Sequence, residues 1–396
     1  MKPLNNNAHP LESLLQQHCP NGVEFKELGE LWEKAPKSKM GANQAKNLSK
    51  NNGNICFTSG ETHYFIDDYL VDGEFLFLND GGTADIKYNS GKAYYTDHIF
   101  AFTSQKICVK FLYYFLKDKQ EAINKTCFQG TGLKNLQKNK IEKFPIPLPP
   151  LEIQYKIVEI LDAFTELQAE LQAELEARLK QYHYYRNKLL SHDELENRTA
   201  KSRNDSDPTP LVPYVSLGEV CEKVFAGGDL PKEYSKDKKP SGEFLYPIYS
   251  NGSDENSLYG FSKTYRIDAE AVTISARGTI GFHTTREAKF TPIVRLITLI
   301  PNLNKITNRF LNYALYTTHI EKYGTSAGIP QLTIPMLEKI TIPLPPLVVQ
   351  EEIVELLDKF DTLTNDLTSG IPAEIEARKK QYEYYRERLL SFIAKD

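Results

Sequence analysis

The sequence predicts a mixed α/β fold in which two similar α/β domains are separated by two long antiparallel coiled-coil helices, arranged as a pseudo-two-fold internal repeat. Three observations carry this prediction. Residues 342–360, IPLPPLVVQEEIVELLDKF, match residues 146–164 at 13 of 19 positions, and residues 373–391 match residues 173–191 at 14 of 19. The offsets are 196 and 200, a period too long for a solenoid unit, so the chain holds two copies of a whole module. Each Pro-Leu-Pro-Pro run is followed by apolar residues recurring at steps of three and four, the period of a helix.

Taken in order, residues 11–17 suggest one or two helical turns. Residues 23–31 (VEFKELGEL) open the first module and residues 212–220 (VPYVSLGEV) the second, sharing Leu-Gly-Glu. An apolar strand at Phe75–Leu78 runs into Asp80-Gly-Gly-Thr83, and a matching strand at Val272–Ser275 runs into Arg277-Gly-Thr279. Short amphipathic helices are expected at Phe111–Leu116 and Phe310–Leu315, with further strands at 98–102, 244–249 and 293–300. The first long helix carries a seam through Ile153, Ile157, Ile160, Phe164, Leu167 and Leu171, then Leu175, Leu179, Tyr182 and Leu189. The second seam runs through Ile353, Leu356, Phe360, Leu363, Leu367, Ile371 and Ile375, with a kink expected at Ser369-Gly-Ile-Pro372. The domains expected are therefore 1–150, a helical region at 151–192, a polar linker at 193–211, a second domain at 212–346 and a second helical region at 347–396.

The chain has 396 residues and no apolar run of the roughly 18 residues needed to span a bilayer. With no apolar signal core at its N-terminus, a soluble cytoplasmic protein with no membrane partner is expected. Five dispersed cysteines (Cys19, Cys56, Cys108, Cys127, Cys221) give no CxxC pair, which argues against zinc or a disulfide framework and leaves no metal site. The net charge of −4 is unevenly spread. Residues 25–145 carry 17 lysines, no arginine and 14 carboxylates, and residues 212–340 carry 15 basic against 13 acidic groups. The negative charge thus sits on the helical regions and linker, and both modules are mildly basic, which permits nucleic-acid binding.

If the helices pair antiparallel, the modules sit at opposite ends of a rod of roughly 60 Å. Two readers so placed suit B-DNA, where paired half-sites lie about one helical turn, roughly 34–36 Å, or a multiple apart. Because the modules differ, the expected target is bipartite and asymmetric. The residues that repeat, Pro-Leu-Pro-Pro with Gln154 or Gln350 and then Lys-Gln-Tyr-x-Tyr-Tyr-Arg-x-x-Leu-Leu-Ser, resemble the specificity subunit of type I restriction–modification enzymes over essentially the whole chain. The resemblance implies that the modules are target recognition domains for double-stranded DNA. It also implies partners: two methylation subunits that methylate adenine with S-adenosylmethionine, and two restriction subunits that use ATP and Mg2+. The tetrapeptides Glu166–Ala169, Glu170–Ala173 and Glu174–Ala177 look like that family's spacer repeat. The chain itself is expected to hold no cofactor and no catalytic residue, consistent with the absence of GxxxxGK[ST] and [DN]PP[FY] sequences. A competing reading is a coiled-coil scaffold whose modules bind proteins.

Candidate DNA contacts follow from residue type and place. Arg277 before Gly278-Thr279 can pair with a guanine edge, against an ordinary surface arginine. Ser59 and Ser250-Asn251 lie on turns after matching strands, where Asn can read adenine or simply shape a turn. Lys46, Lys50, Asn51 and Asn52 form a basic polar stretch suited to phosphate, as do Lys232 and Lys236. Thr83, Thr279 and Lys263 complete the set. Gln154 and Gln350 are candidate helix-start or interface groups. Tyr182, Tyr185 and Arg186, repeated as Tyr382, Tyr385 and Arg386, suit a subunit interface, against packing between the helices.

Overall fold

The computed structural model describes residues 17–132, 134–202, 212–324, 331–366 and 368–394. The two modules share one plan. In the first, strands Glu33–Lys34, Ile99–Thr103, Glu74–Asn79 and Ile86–Ser90 form a four-stranded antiparallel sheet in that order. In the second, Cys221–Ala226, Ile297–Pro301, Ala271–Ile274 and His283–Arg286 repeat the order. A smaller sheet accompanies each: His63–Ile66, Asn54–Phe57 and Ala93–Tyr95 in the first, Tyr234–Ser235, Leu258–Ser262, Tyr246–Tyr249 and Thr291–Pro292 in the second. In both, the last strand runs parallel to its neighbour.

Alternation along Glu74–Asn79 explains how one sheet fills two cores, because successive side chains of a strand face opposite sides. Leu76 and Leu78 turn toward helix Val109–Asp118 and its buried Phe111, Leu112 and Phe115. Phe77 turns the other way, onto Phe57 at 4.5 Å and Tyr95 at 5.5 Å between ring centroids. Helix Asn308–Leu315 covers the second sheet in the same manner.

Each module is closed by its own ends. Glu24–Glu27 pairs antiparallel with Pro145–Leu148, and Tyr214–Ser216 with Thr341–Pro343. The proline-rich strand therefore leads straight from the closing pair into a long helix, Leu151–Leu189 or Leu347–Asn365. Proline has no N–H to donate, and it is tolerated here because each strand of a two-stranded pair has a free edge that needs no donor.

The chain divides into two compact units, residues 1–172 with 374–396 and residues 173–373. Each holds one module with the start of the helix that follows it and the end of the other long helical region. In the first unit Ile153, Ile157 and Leu161 share a core with Leu389 and Leu390, and Phe164 stacks on Tyr385 at 5.5 Å. In the second, Val349, Ile353 and Leu357 share a core with Leu189 and Leu190, and Phe360 stacks on Tyr185 at 5.4 Å. Both pairings are antiparallel, as the repeat predicts.

Three expectations need correction. The buried stripe of the second helix is Val349, Ile353, Leu357 and Thr364, whereas Leu356 and Leu363 are exposed at 37% and 38%. The seam rotates because the module, not only the partner helix, claims one face; Leu367 lies outside the described residues. The linker expected at 193–211 is helical over His192–Ser202, where Leu195 and Thr199 are buried and Arg198 pairs with Glu194 at 2.8 Å. Residues 203–211, like 11–16, lie outside the described residues. The kink at Ser369–Pro372 is a full break between Leu347–Asn365 and Ile371–Leu389. Gly370 donates to Asp366 O at 3.0 Å, and a Cβ there would lie 2.5 Å from Thr362 O, so only glycine fits against the last helical turn.

Candidate nucleic-acid interface

Polar side chains beneath the sheet ends gather the loops of each module. In the first module Asn79 is 3% exposed; its Nδ2 donates to Ser59 O at 2.7 Å and Thr83 O at 3.4 Å. Lys87 Nζ donates to Thr58 O at 3.1 Å and Asn79 Oδ1 at 3.2 Å, and pairs with Asp85 at 2.8 Å. Burial alone would raise the Asp85 carboxyl, but Lys87 and Lys117 outweigh it and hold its pKa below the ordinary value. Thr58 Oγ1 closes its own turn onto Thr62 O. Gly82 N donates to Lys134 O at 2.8 Å and Leu136 N to Asp80 O at 2.9 Å, which adds a third segment. The Ser59 turn, the Thr83 turn and residues 134–136 therefore share one edge.

The second module builds the same edge with different residues. Ser275, 1% exposed, accepts from Gly252 N and donates to Gly252 O, both at 3.0 Å. Asn251 Nδ2 donates to Val294 O at 2.6 Å while its Oδ1 accepts from Ala276 N at 2.8 Å. Arg286 lies over the Tyr249 ring at 3.7 Å and donates to Ser257 Oγ at 2.8 Å and Thr273 Oγ1 at 3.0 Å. Leu332 N reaches Ala276 O at 3.1 Å, the counterpart of Leu136 and Asp80.

Arg277 and Thr279 are exposed on the turn, and Arg277 Nη2 donates to Gln331 Oε1 at 2.8 Å. Thr83, Asn51 and Asn52 are exposed. Lys46 lies in helix Ala42–Asn47 rather than a loop, and Lys50 pairs with Asp67. Lys232 and Lys236 are exposed, with Lys236 6.0 Å from the Tyr259 ring. Two candidates are spoken for. Lys263 sits between Glu243 at 2.9 Å and Glu233 at 3.6 Å, so its charge is already met. Both ends of the Asn251 amide are taken by backbone, so it shapes the edge rather than reading a base. Ser59 and Ser250 are half-buried.

The comparisons with known proteins agree with this layout. The type I restriction modification DNA specificity domain matches residues 20–181 and again 212–377. The chain belongs to that family. A Mycoplasma pneumoniae protein named as type I specificity subunit S.MpnORF89P is 36% identical over 83% of this chain and 96% of its own length. A Haemophilus influenzae protein named as type I restriction enzyme specificity subunit S.HindORF215P is 32% identical over 98% of this chain and 100% of its own. The S subunit structure from M. genitalium superposes with a TM-score of 0.64 at 20% identity, covering 99% of both chains, and so shares the fold.

The motif residues of this type I specificity chain turn out to be internal. Gln154 is 1% exposed; its Oε1 accepts from Cys108 N and its Nε2 donates to Pro149 O, both at 2.8 Å. Gln350, 0% exposed, accepts from Thr307 N at 2.9 Å and donates to Lys305 O at 2.9 Å and Pro345 O at 2.8 Å. Each glutamine fastens the start of a short helix to the start of a long one, and neither can meet another subunit. Tyr182 and Tyr185 stack on Phe360, and Tyr382 and Tyr385 pack on Phe164. Arg186 lies 4.2 Å over the Tyr316 ring, and Arg386 Nε donates to Asp118 at 3.1 Å. These six therefore take the packing role on their inward side, the alternative weighed for them, while all but Tyr182 keep part of their surface exposed. The outward members are Tyr184 and Tyr384, exposed at 61% and 49%. Sequence reading also missed a repeated tie: Tyr114 donates to Asp162 and Tyr313 to Asp358, each at 2.6 Å, beside Lys110 and Arg309. Aligning the two copies residue by residue would have found it.

Proposed function

We propose that this chain is the non-catalytic, DNA-reading subunit of a type I restriction–modification assembly, acting on double-stranded DNA in the cytoplasm. It reads a bipartite, asymmetric target, one half-site per module. The observation that carries this reading is the pair of loop edges: the same topology holds the same loops together, yet the side chains offered differ. The first edge offers Thr83 and Lys134 and no arginine, and the second offers Arg277 and Thr279. Arginine at a turn suits a guanine edge, and lysines suit phosphate.

In the assembly two methylation subunits would supply adenine methylation with S-adenosylmethionine, and two restriction subunits would supply ATP- and Mg2+-dependent cleavage. Membership of the specificity family supports the DNA-reading role and disfavours a protein-binding scaffold. Among the described residues no helix is long and apolar enough to cross a membrane.

Footprinting tests the reading. The purified chain with its methylation subunits should protect one bipartite site, and affinity should fall steeply with salt, by roughly 10³-fold or more between 50 and 200 mM if six or more phosphates are contacted. Uniform binding to unrelated duplexes would contradict sequence reading.

A further inference from the structure

The second module holds a turn whose conformation its sequence opposes. Val294 and Arg295 have φ of 51° and 61°, and Leu296 N donates to Ile293 O at 3.0 Å, so residues 293–296 close a turn with two consecutive left-handed residues. Turns with positive φ at both central positions prefer Asn-Gly. A β-branched residue there is an outlier, because its Cβ crowds the backbone. Burial does not explain the choice, since Val294 is 57% exposed and Arg295 is exposed beside it.

The fold enforces the conformation from below. Val294 N donates to Gly228 O and Arg295 N to Gly227 O, both at 3.0 Å, and Asn251 Nδ2 donates to Val294 O at 2.6 Å. Gly227 lets these backbones meet, because a Cβ there would lie 2.7 Å from Pro292 C. Through Asn251 the turn is tied to Ala276 N, and so to the Arg277–Thr279 turn. The topologically equivalent turn of the first module, Thr96–Ile99, closes with the same kind of bond at 3.1 Å, but neither Asp97 nor His98 has positive φ. There His98 rests on Asp80 at 3.3 Å, whereas Arg295 makes no ion pair among the described residues. Strain of this kind persists where the surroundings over-determine it, and it gathers at functional sites.

We infer that the Ile293–Leu296 turn is a base-reading element of the second module. Arg295 donates to a guanine edge in the major groove, Val294 covers the methyl of a neighbouring thymine, and Asn251 is the positioning residue that aims both. Arginine–guanine and apolar–thymine-methyl pairs are the contacts these two side chains make best. The inference rests on the DNA-reading function proposed above.

The test uses the full chain assembled with its methylation subunits, assayed for methylation on duplexes varied one base pair at a time. The substitution V294N/R295G suits the backbone better than the natural pair, so the melting temperature should hold or rise. Discrimination at one or two adjacent base pairs of the second module's half-site should nevertheless fall about 10-fold or more, with the first half-site unchanged. R295A should relax only the guanine position, and N251A should blunt the same positions without moving the first half-site. Unchanged discrimination in V294N/R295G would overturn the inference while leaving the bipartite target intact. Loss across both half-sites with a lowered melting temperature would assign the turn to stability and overturn it too. A wild-type assembly with no preferred sequence would instead sink the functional reading, and this inference with it.

Discussion

At the scale of single residues, one buried glutamine holds each module to its helix, Gln154 in the first and Gln350 in the second. Gln350 satisfies Thr307 N, Lys305 O and Pro345 O at once, in a site with no exposure. Replacing it with leucine keeps the volume but leaves these groups unpaired, each costing about 1–3 kcal/mol when buried. Gln350→Leu should therefore lower unfolding stability by about 2–4 kcal/mol in urea titration. A change within 0.5 kcal/mol, the range expected of an unimportant surface site, would contradict the assignment. The cysteines behave as small apolar groups: burial pushes the Cys56 thiol up to about 11 and Cys221 up to about 12, which leaves little thiolate near neutral pH.

At the scale of elements, strand His283–Arg286 and helix Asn308–Leu315 meet at a histidine kept neutral. His283 Nδ1 lies 2.9 Å from Asn312 Oδ1, and burial, aided by Arg186 and opposed by the Asn312 bond and Glu321, pushes the ring down to about 4. The unfolded ring takes its proton near pH 6.5, so the contribution is fully present above that value and is lost as pH falls toward 4. Between pH 6.5 and 4 the chain should lose roughly 3 kcal/mol from this group. His283→Asn should flatten that slope in pH-dependent unfolding, and an unaltered slope would contradict it. The elements themselves were largely legible. The Phe75–Leu78 and Val272–Ser275 strands showed as short apolar runs ending in Gly-Thr turns, because both their faces are buried, and the short helices showed by their amphipathic period. The loop edge was less so: Arg277 and Thr83 stood out as turn residues, but Asn79 and Lys87 look like ordinary strand residues, and only the fold shows their side chains reaching Thr58 and Ser59. The Val294–Arg295 turn was hidden for the opposite reason, since an apolar β-branched residue after Thr291-Pro-Ile293 reads as strand. Helix His192–Ser202 was masked by its polarity, with two buried side chains too few to show a period.

At the scale of the whole molecule, the helix Leu151–Leu189 runs without a break through the junction of the two compact units, and the Glu-Leu-Gln-Ala repeats lie across that junction. Leu167, Leu171 and Leu175 are half-buried while Glu166, Glu170 and Glu174 are exposed, so each unit of four presents the same face. Removing four residues shortens a helix by about 6 Å and turns it only about 40° past a full turn. Deleting Glu170–Ala173 should therefore leave both loop edges intact and shorten the gap in the target by roughly one or two base pairs. A changed half-site would mean the repeat does more than set length. If two differently furnished edges on one chain choose one bipartite sequence, the bases modified in a host must depend on this chain. The most direct measurement is single-molecule methylome sequencing of a host carrying the methylation subunits, with and without this chain. One asymmetric bipartite motif, with an adenine modified in each half, should be present only with the chain. A methylome that does not change, or methylation without sequence preference, would contradict it.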